Sequence, residues 1–588
     1  MIGFTAKKLN LPVVFVAVSV FVLQSCVQPP VERRQEPVPE TPVTAPAVDE
    51  PAAAVPVQPA GEQLTAPLMY GVLLGEIAGQ RGRLDVSGAS YLRAAEQSND
   101  PRIAERALKI LVYAKQPQLA LEASRRWVEL ALDNLEARQT LAVLELRHKN
   151  SAEALAQFEY LLQHGEDDDP YASLLALLAR EPDTAEALGI MQELAALRPQ
   201  DPDAHFAYAR LAVHAESWTL AEQEVARTLE LKPDWPEALI LQAQINFKQG
   251  RSEQARNDLA AAVARNPDNT ELRTAYARLL VDMDAYAAAR AEYRRLLKVA
   301  PNDGQIVYSL ALLSLESGEL KESQALFRKL VKLDYHAEQS YYYLGAIAEE
   351  QGEPQRALEW YGKVDPDAEH WVEVQIRIAR LEALGGDVKA GRERLRKVRL
   401  AHPAETQRLF LVEGEILSEI DWDEEAYTLY SDYLELQPDD TEVLYARALV
   451  AERLNRLQQS ENDFLRILAI EPDDARSLNA LGYTLADRTD RYDEALGYIE
   501  KALAQTPDDP AVNDSMGWVL YRLGRYAEAR KFLQRAYDMT PDGEIAAHLG
   551  EAMWAMGDQK AARALWSKAR KRSPGDPVLE ETVRRYLR

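Results

Sequence analysis

Prolines, small residues and large apolar residues recur along most of this chain at an interval of about 34 positions. The prolines mark the interval most clearly, at Pro199, Pro233, Pro267, Pro301, Pro403, Pro438, Pro472, Pro507, Pro541 and Pro574. Tyr335 and Glu369 occupy the two slots between Pro301 and Pro403, so the phase of the repeat is kept there. A period of this length indicates an array of units that share one local fold.

Each unit carries the spacing of two helices that pack on each other. An alanine lies twelve residues before most of the prolines, and a large apolar residue follows four positions later, as in Ala529 and Leu533. Upstream, a large apolar residue precedes a glycine at Leu344-Gly345, Leu481-Gly482, Met516-Gly517 and Leu549-Gly550. Glycine there lets two helix backbones approach closely, and Gly524 suits the turn that ends a first helix. We therefore expect a helical hairpin in each unit.

This pattern resembles the tetratricopeptide repeat, or TPR, and the stretch from Asp509 to Pro541 matches it especially well. The resemblance implies an all-α fold in which about 13–15 helical hairpins form a solenoid with a right-handed superhelix. In the same phase the array covers 67–576, and an amphipathic helix over 577–588 caps it. TPR arrays bind many unrelated partners, so the resemblance specifies the fold more closely than the function.

The N-terminal residues are predicted to be an address rather than a part of the array. Lys7 and Lys8 precede an apolar run over 11–23, which is short for a membrane span and typical of a signal peptide over 1–25. The residues that follow, Leu23-Gln24-Ser25-Cys26, resemble the bacterial lipobox. That resemblance implies that Cys26 is acylated and anchors the chain to a membrane.

Residues 26–66 are rich in proline, so we expect a disordered, stiff tether between the acylated cysteine and the array. In lipoproteins of this kind an Asp directly after the cysteine signals retention at the inner membrane. Val27 stands there instead. The resemblance therefore implies the periplasmic face of the outer membrane.

Composition excludes several classes of function. The 588 residues carry 68 Lys and Arg against 94 Asp and Glu, a net charge of −26, which disfavours binding to nucleic acid. One cysteine excludes a disulfide framework and multi-thiolate metal sites. The eight histidines show no metal-ligand spacing, and neither a phosphate-binding loop nor a nucleophile elbow occurs. We expect no enzyme activity, no metal, no cofactor and no small-molecule substrate. The glycines spaced by four at Gly71, Gly75 and Gly79 favour close helix packing over a phosphate cradle.

Two surfaces are candidates for binding a protein partner. The family phase places Tyr483, Trp518, Tyr521 and Trp554 on or near the concave face of successive units. Large rigid rings suit a peptide groove, but packing between repeats explains them equally well. The first helix is apolar almost all round, with Leu68, Met69, Val72, Leu73 and Ile77, although a terminal repeat usually presents a polar outer face. Either a partner protein or a self-contact should cover it.

Charge is uneven between neighbouring units. Residues 409–446 contain twelve acidic residues and no basic ones, and a basic segment over 389–399 precedes them. These segments either neutralise each other or form a patch that steers a partner.

From lipobox to last repeat, the chain resembles the large TPR lipoproteins of Gram-negative outer membranes, in particular the adaptors of periplasmic carboxyl-terminal processing proteases. The resemblance implies a scaffold that binds such a serine protease, promotes its activity and recruits protein substrates such as peptidoglycan hydrolases. The alternative is an assembly lipoprotein of an envelope secretion or exopolysaccharide export machine.

Overall fold

The computed structural model describes residues 65–165 and 169–587, and this part of the chain consists of helices joined by short turns. It forms two compact units, the first ending at Gly318 and the second beginning at Glu319. The predicted signal peptide, the acylated Cys26 and almost all of the tether lie outside the described residues. No described helix combines the length and the apolar character that crossing a membrane requires.

In the first unit fifteen helices follow one another; α1 to α6 and α9 to α14 form six hairpins of consecutive helices, whereas α7 and α8 each pack mainly on α6 and α9. Their bounds are α1 Ala66–Gln80, α2 Leu84–Glu96, α3 Pro101–Tyr113, α4 Pro117–Leu130, α5 Leu135–Arg147, α6 Ser151–His164, α7 Pro170–Leu178, α8 Thr184–Leu197, α9 Pro202–His214, α10 Trp218–Leu231, α11 Pro236–Lys248, α12 Ser252–Arg265, α13 Thr270–Asp282, α14 Tyr286–Val299 and α15 Gly304–Glu316.

The second unit begins with α16, continues with seven hairpins formed by α17 to α30, and ends with α31. The bounds are α16 Leu320–Leu333, α17 Ala337–Glu350, α18 Pro354–Tyr361, α19 Trp371–Leu384, α20 Val388–Ala401, α21 Thr406–Glu419, α22 Asp423–Leu436, α23 Thr441–Arg453, α24 Leu457–Ile470, α25 Ala475–Arg488, α26 Tyr492–Gln505, α27 Pro510–Arg522, α28 Tyr526–Met539, α29 Gly543–Ala555, α30 Gln559–Arg572 and α31 Pro577–Tyr586.

The two kinds of turn have different chemistry. Most odd-numbered helices begin after an Asp or Asn whose side chain accepts a backbone N–H of the first turn, which satisfies an otherwise unpaired donor. These N-caps include Asp100, Asn134, Asp169, Asp201, Asn269, Asp303, Asp440, Asp474, Asp509 and Asp576. The turn inside a hairpin instead passes through a left-handed backbone conformation, as at Gly250 and Gly524.

Glycine in the first helix of a hairpin makes room for a large side chain of the second. A Cβ atom at Gly75 would lie 2.7 Å from the Tyr91 ring, and one at Gly345 would overlap the Tyr361 ring. Because the hairpin helices are in contact at these glycines, the predicted close approach is confirmed. The result is a tightly packed core of small and large residues between the helices of each hairpin, continuous over much of the second unit.

The two repeats between Pro301 and Pro403, which lack the marker proline, depart from the common geometry of the array. Asp334 and His336, on either side of Tyr335, both adopt left-handed backbone conformations. Near Glu369 the second helix, α18, has 8 residues instead of the 14 that are usual here. The prediction of an all-α array of helical hairpins is confirmed.

Candidate functional site

The four aromatic residues predicted for a groove lie on successive first helices of the second unit. Tyr483 belongs to α25, Trp518 and Tyr521 to α27, and Trp554 to α29. Trp518 is buried, whereas the other three are half-buried. The structure therefore places the four residues along one row of first helices. Trp518 is less accessible to a partner than the other three.

Trp518 is held from both sides by other side chains. Its ring stacks on Tyr521 at 5.1 Å and on His548 at 4.1 Å between ring centres, and its Nε1 donates a hydrogen bond of 3.2 Å to Asp487. Tyr483 donates a hydrogen bond of 2.7 Å to Glu544. For Trp518 the packing explanation is correct, because its ring faces are occupied.

The last helix, α31, closes this row. The Tyr586 ring lies 5.4 Å from the Trp554 ring, and its hydroxyl is 3.2 Å from that of Tyr521. The same hydroxyl donates to Glu551 at 3.2 Å, and Thr582 donates to the other oxygen of Glu551 at 3.1 Å. Thus α31 lies against α29 as a further first helix would, and gives the array a polar end.

A buried charge pair lies beneath the aromatic row. His548 Nδ1 is 2.9 Å from Asp514, and both side chains are almost fully buried. Burial lowers the pKa of His548, but the Asp514 carboxylate, with Glu544 and Glu551 nearby, outweighs burial and raises that pKa to about 9. The imidazole is therefore charged at neutral pH, and it offsets part of the negative charge of Asp514, Glu544 and Glu551.

Sequence reasoning missed Asp514, His548, Glu551 and Tyr586, although a signal was present. Asp514 and His548 are 34 residues apart, so they occupy the same position in successive first helices. Opposite charges separated by one repeat interval indicate a contact between neighbouring hairpins.

The predicted docking face on α1 is smaller than the sequence suggested. Leu68 is buried and is not available to a partner, and Val72 is half-buried against the cluster that contains Tyr91. Met69, Leu73 and Ile77 are exposed. The prediction of Leu68 as a docking residue is therefore wrong, because that side chain is buried, whereas docking through the exposed residues of α1 stays a prediction.

The glycines of α1 account for its packing on α2. Cβ atoms at Gly71 and Gly79 would each lie 3.2 Å from side-chain atoms of α2, and Ser87 of α2 donates a hydrogen bond of 2.7 Å to the Gly75 carbonyl. These contacts show that the four-residue spacing of glycines serves close packing of α1 on α2, as predicted.

The acidic segment over 409–446 is neutralised in large part by arginines of other helices. Glu413 is buried between Arg392 and Arg399 of α20, at 2.7 and 2.6 Å. Further carboxylates of the segment pair with Arg380, Arg453, Arg456, Arg466 and Arg476. These ion pairs favour mutual neutralisation over a patch that steers a partner.

No cluster of three or more His, Cys, Asp or Glu side chains suited to a metal ion occurs within 65–165 and 169–587. A cavity of about 200 Å³ lies among α5, α6 and α7 and is lined mostly by their leucines. Neither observation identifies a catalytic centre.

Comparison with known proteins gives one consistent family. The tetratricopeptide repeat family matches residues 178–245, 246–313, 308–368, 473–542 and 515–577. A curated protein of Pseudomonas aeruginosa, TPR repeat-containing protein PA4667, is 41% identical over 490 residues, which cover 82% of each chain.

Similar solved structures include MamA from Desulfovibrio magneticus, the Cut9–Hcn1 hetero-tetramer of the APC/C, and YrrB, a TPR protein with an unusual peptide-binding site. Their identities are 21%, 12% and 16%, and their TM-scores are 0.25, 0.32 and 0.27. They cover 29%, 89% and 32% of this chain, and 97% of each matched chain is covered.

Proposed function

This chain belongs to the TPR repeat-containing proteins, and we propose that it is a membrane-anchored adaptor for a periplasmic carboxyl-terminal processing serine protease. Repeats of this family form scaffolds for protein–protein interaction. In the proposed role the chain binds the protease, promotes its activity and presents protein substrates such as peptidoglycan hydrolases. A lipid on Cys26 and the proline-rich tether would hold the array at the periplasmic face of the outer membrane.

The observation that supports a binding role is the row of aromatic residues on α25, α27 and α29. Tyr483, Tyr521 and Trp554 each come from a successive first helix and each keeps part of its surface exposed. Asp487, which holds Trp518, is itself half-buried beside them. Such a surface offers flat apolar contacts with carboxylates at its edge, and an extended polypeptide could lie across it.

The adaptor role is tested by isolating the full lipidated chain from cell envelopes in mild detergent and identifying the proteins that stay bound. We expect a processing protease together with cell-wall hydrolases, and faster cleavage of those hydrolases by the purified protease when the chain is added. Recovery of channel or synthase subunits without a protease would contradict the adaptor role and favour an export machine.

The groove is tested by substituting two half-buried tyrosines, one in the aromatic row and one outside it. Tyr483→Ala removes a ring from the aromatic row, and Tyr498→Ala removes a half-buried ring from α26, a second helix of its hairpin. We expect Tyr483→Ala to reduce the recovery of bound substrates several-fold more than Tyr498→Ala does. Equal losses in both variants, at equal thermal stability, would show that the row serves only packing.

A further inference from the structure

One side of α1 is open. In the later hairpins, the same side of the first helix packs on the preceding hairpin. In repeat register, Ile77 takes the position of Leu211, Ile245, Leu279 and Leu313, which follow one another at steps of 34 residues. Those four side chains are at most 4% exposed, whereas Ile77 is 48% exposed. Because no described hairpin precedes α1, Ile77 has lost the neighbour that buries its equivalents.

The contacts of the equivalent residues show what is missing. Leu279 of α13 shares a core cluster with Leu259 of α12, which belongs to the preceding hairpin. Leu272, seven residues before Leu279, is fully buried, but Tyr70, seven residues before Ile77, is 67% exposed. The open side of α1 is therefore a helix-stacking surface, and it suits another helix better than an extended peptide.

The sequence before α1 and the far end of the described array both argue against a cover from this chain. Residues 27–64 contain nine prolines, a composition that does not favour a continuous helix. At the other end, the exposed residues of α30 include Lys560, Arg563, Lys568 and Lys571, which are polar rather than apolar. A head-to-tail contact between copies would thus set an apolar surface against a cationic one.

The exposed apolar stripe of α1 is complementary to itself. Met69, Leu73 and Ile77 are spaced by four residues and are 47%, 53% and 48% exposed. The stripe is symmetric about Leu73, so a second α1 running in the opposite direction places Ile77 of the second copy opposite Met69, and Leu73 opposite its own equivalent. We propose that two copies of this protein associate through an antiparallel α1–α1 contact about a two-fold axis near Leu73.

This association is weak in dilute solution. Four exposed apolar side chains on one helix of 15 residues bury less than the roughly 800 Å² per partner of a stable complex. The dimer should therefore form in a concentration-dependent way. If both copies are anchored near α1 in one membrane, their local concentration rises and the contact becomes favourable. The proposal does not depend on the identity of any protease.

Cysteine cross-linking tests the contact and its direction. The chain has one cysteine, so full-length protein with Cys26→Ser carries no other thiol. In that background Leu73→Cys should form disulfide-linked dimers under mild oxidation, several-fold more than the control Leu436→Cys, whose native side chain is 78% exposed. A mixture of Met69→Cys and Ile77→Cys chains should cross-link more than either chain alone, as the antiparallel direction requires.

Sedimentation velocity gives an independent measurement. The Cys26→Ser protein should shift from monomer to dimer as its concentration rises, and Leu73→Glu should stay monomeric with an unchanged helical spectrum, since Leu73 is exposed. A monomer at all concentrations, or Leu73→Cys dimers no more abundant than those of Leu436→Cys, would overturn the proposal. Cross-linking of Leu73→Cys in cell envelopes to a different protein only would also overturn it.

Discussion

Single glycines determine how closely the two helices of a hairpin approach. Gly345 of α17 lies directly beneath the Tyr361 ring, whereas Gly497 of α26 has no atom within 4 Å of the position of a Cβ. We expect Gly345→Ala to lower the free energy of unfolding by about 2–3 kcal/mol, since Tyr361 must move. Gly497→Ala should be neutral or stabilising by about 0.5–1 kcal/mol, because alanine is the better helix former.

Urea unfolding of the two variants, followed by helical circular dichroism, measures this difference. The pair is matched, since both substitutions add one methyl group inside a helix of the second unit. Similar effects of both substitutions would show that the close contact at Gly345 does not limit the stability of the hairpin.

The buried pair of His548 and Asp514 makes stability depend on pH. The pKa of His548 is about 6.5 in an unfolded chain and about 9 here. The bound proton therefore contributes stability that is fully present below pH 6.5 and is lost as the pH rises through 9. We expect the transition temperature to fall between pH 7 and pH 10, from a loss on the order of 2–3 kcal/mol.

The control for this prediction is His548→Gln, which cannot take up the proton. That variant should be less stable than the natural protein at pH 7, because Asp514 then lies buried without a cation. Its stability should also change less between pH 7 and pH 10. If the natural protein and the variant have the same pH dependence, other groups cause it.

At the scale of the element, most turns inside a hairpin share one backbone conformation. It is left-handed at Gly82, Lys115, Lys149, Glu216, Gly250, Asp284, Gly352, Gly386, Asp421, Asn455, Gly524 and Gly557, whereas the turn between α25 and α26 has no such residue. Residues with a side chain pay a steric cost in that conformation, and glycine does not. The hairpins with a non-glycine residue at this position are therefore not at their most stable.

We expect Lys149→Gly, at a backbone φ of 62°, to raise the free energy of unfolding by about 0.5–1 kcal/mol. Gly250→Ala should lower it by about 1 kcal/mol, since φ is 79° there and a Cβ would touch nothing within 4 Å. Thermal unfolding of the two variants measures the pair. A loss of stability in Lys149→Gly would mean that the Lys149 side chain outweighs the backbone conformation.

The helical hairpins could be predicted from the sequence because the signals that specify them are local. The 34-residue period, the glycines at positions such as Gly345 and Gly550, and the turn glycines predicted the hairpins. Each of these signals concerns residues in direct contact within one hairpin. The short helix α18 was not predictable, since its slot at Glu369 kept the phase of the repeat while the helix ended early. Contacts between units, such as His548 with Asp514, require the register of two hairpins at once.

At the scale of the whole molecule, the open side of α1 shows the limit of that reasoning. The sequence revealed an apolar helix, but it did not show that Leu68 is buried and Ile77 exposed, or that the glycines of α1 pack on α2. Likewise, the acidic residues over 409–446 could not be assigned to neutralisation until Arg392 and Arg399 were found on Glu413. Adjacency in space, rather than residue type, decides both cases.

A linear array also restricts how far a local change travels. In the second unit α29 packs against α28, α30 and α31, and α27 lies next to it, whereas α19 and α21 contact other hairpins. Stability in such an array is close to a sum over repeats and their neighbouring interfaces. We therefore expect Gly550→Ala, whose Cβ would overlap the Trp566 ring, to speed hydrogen exchange in α27 to α31 and leave α19 to α21 unchanged. Faster exchange throughout the second unit would show instead that this unit unfolds as one cooperative body, and Gly497→Ala, which touches nothing, separates that outcome from a general effect of substitution.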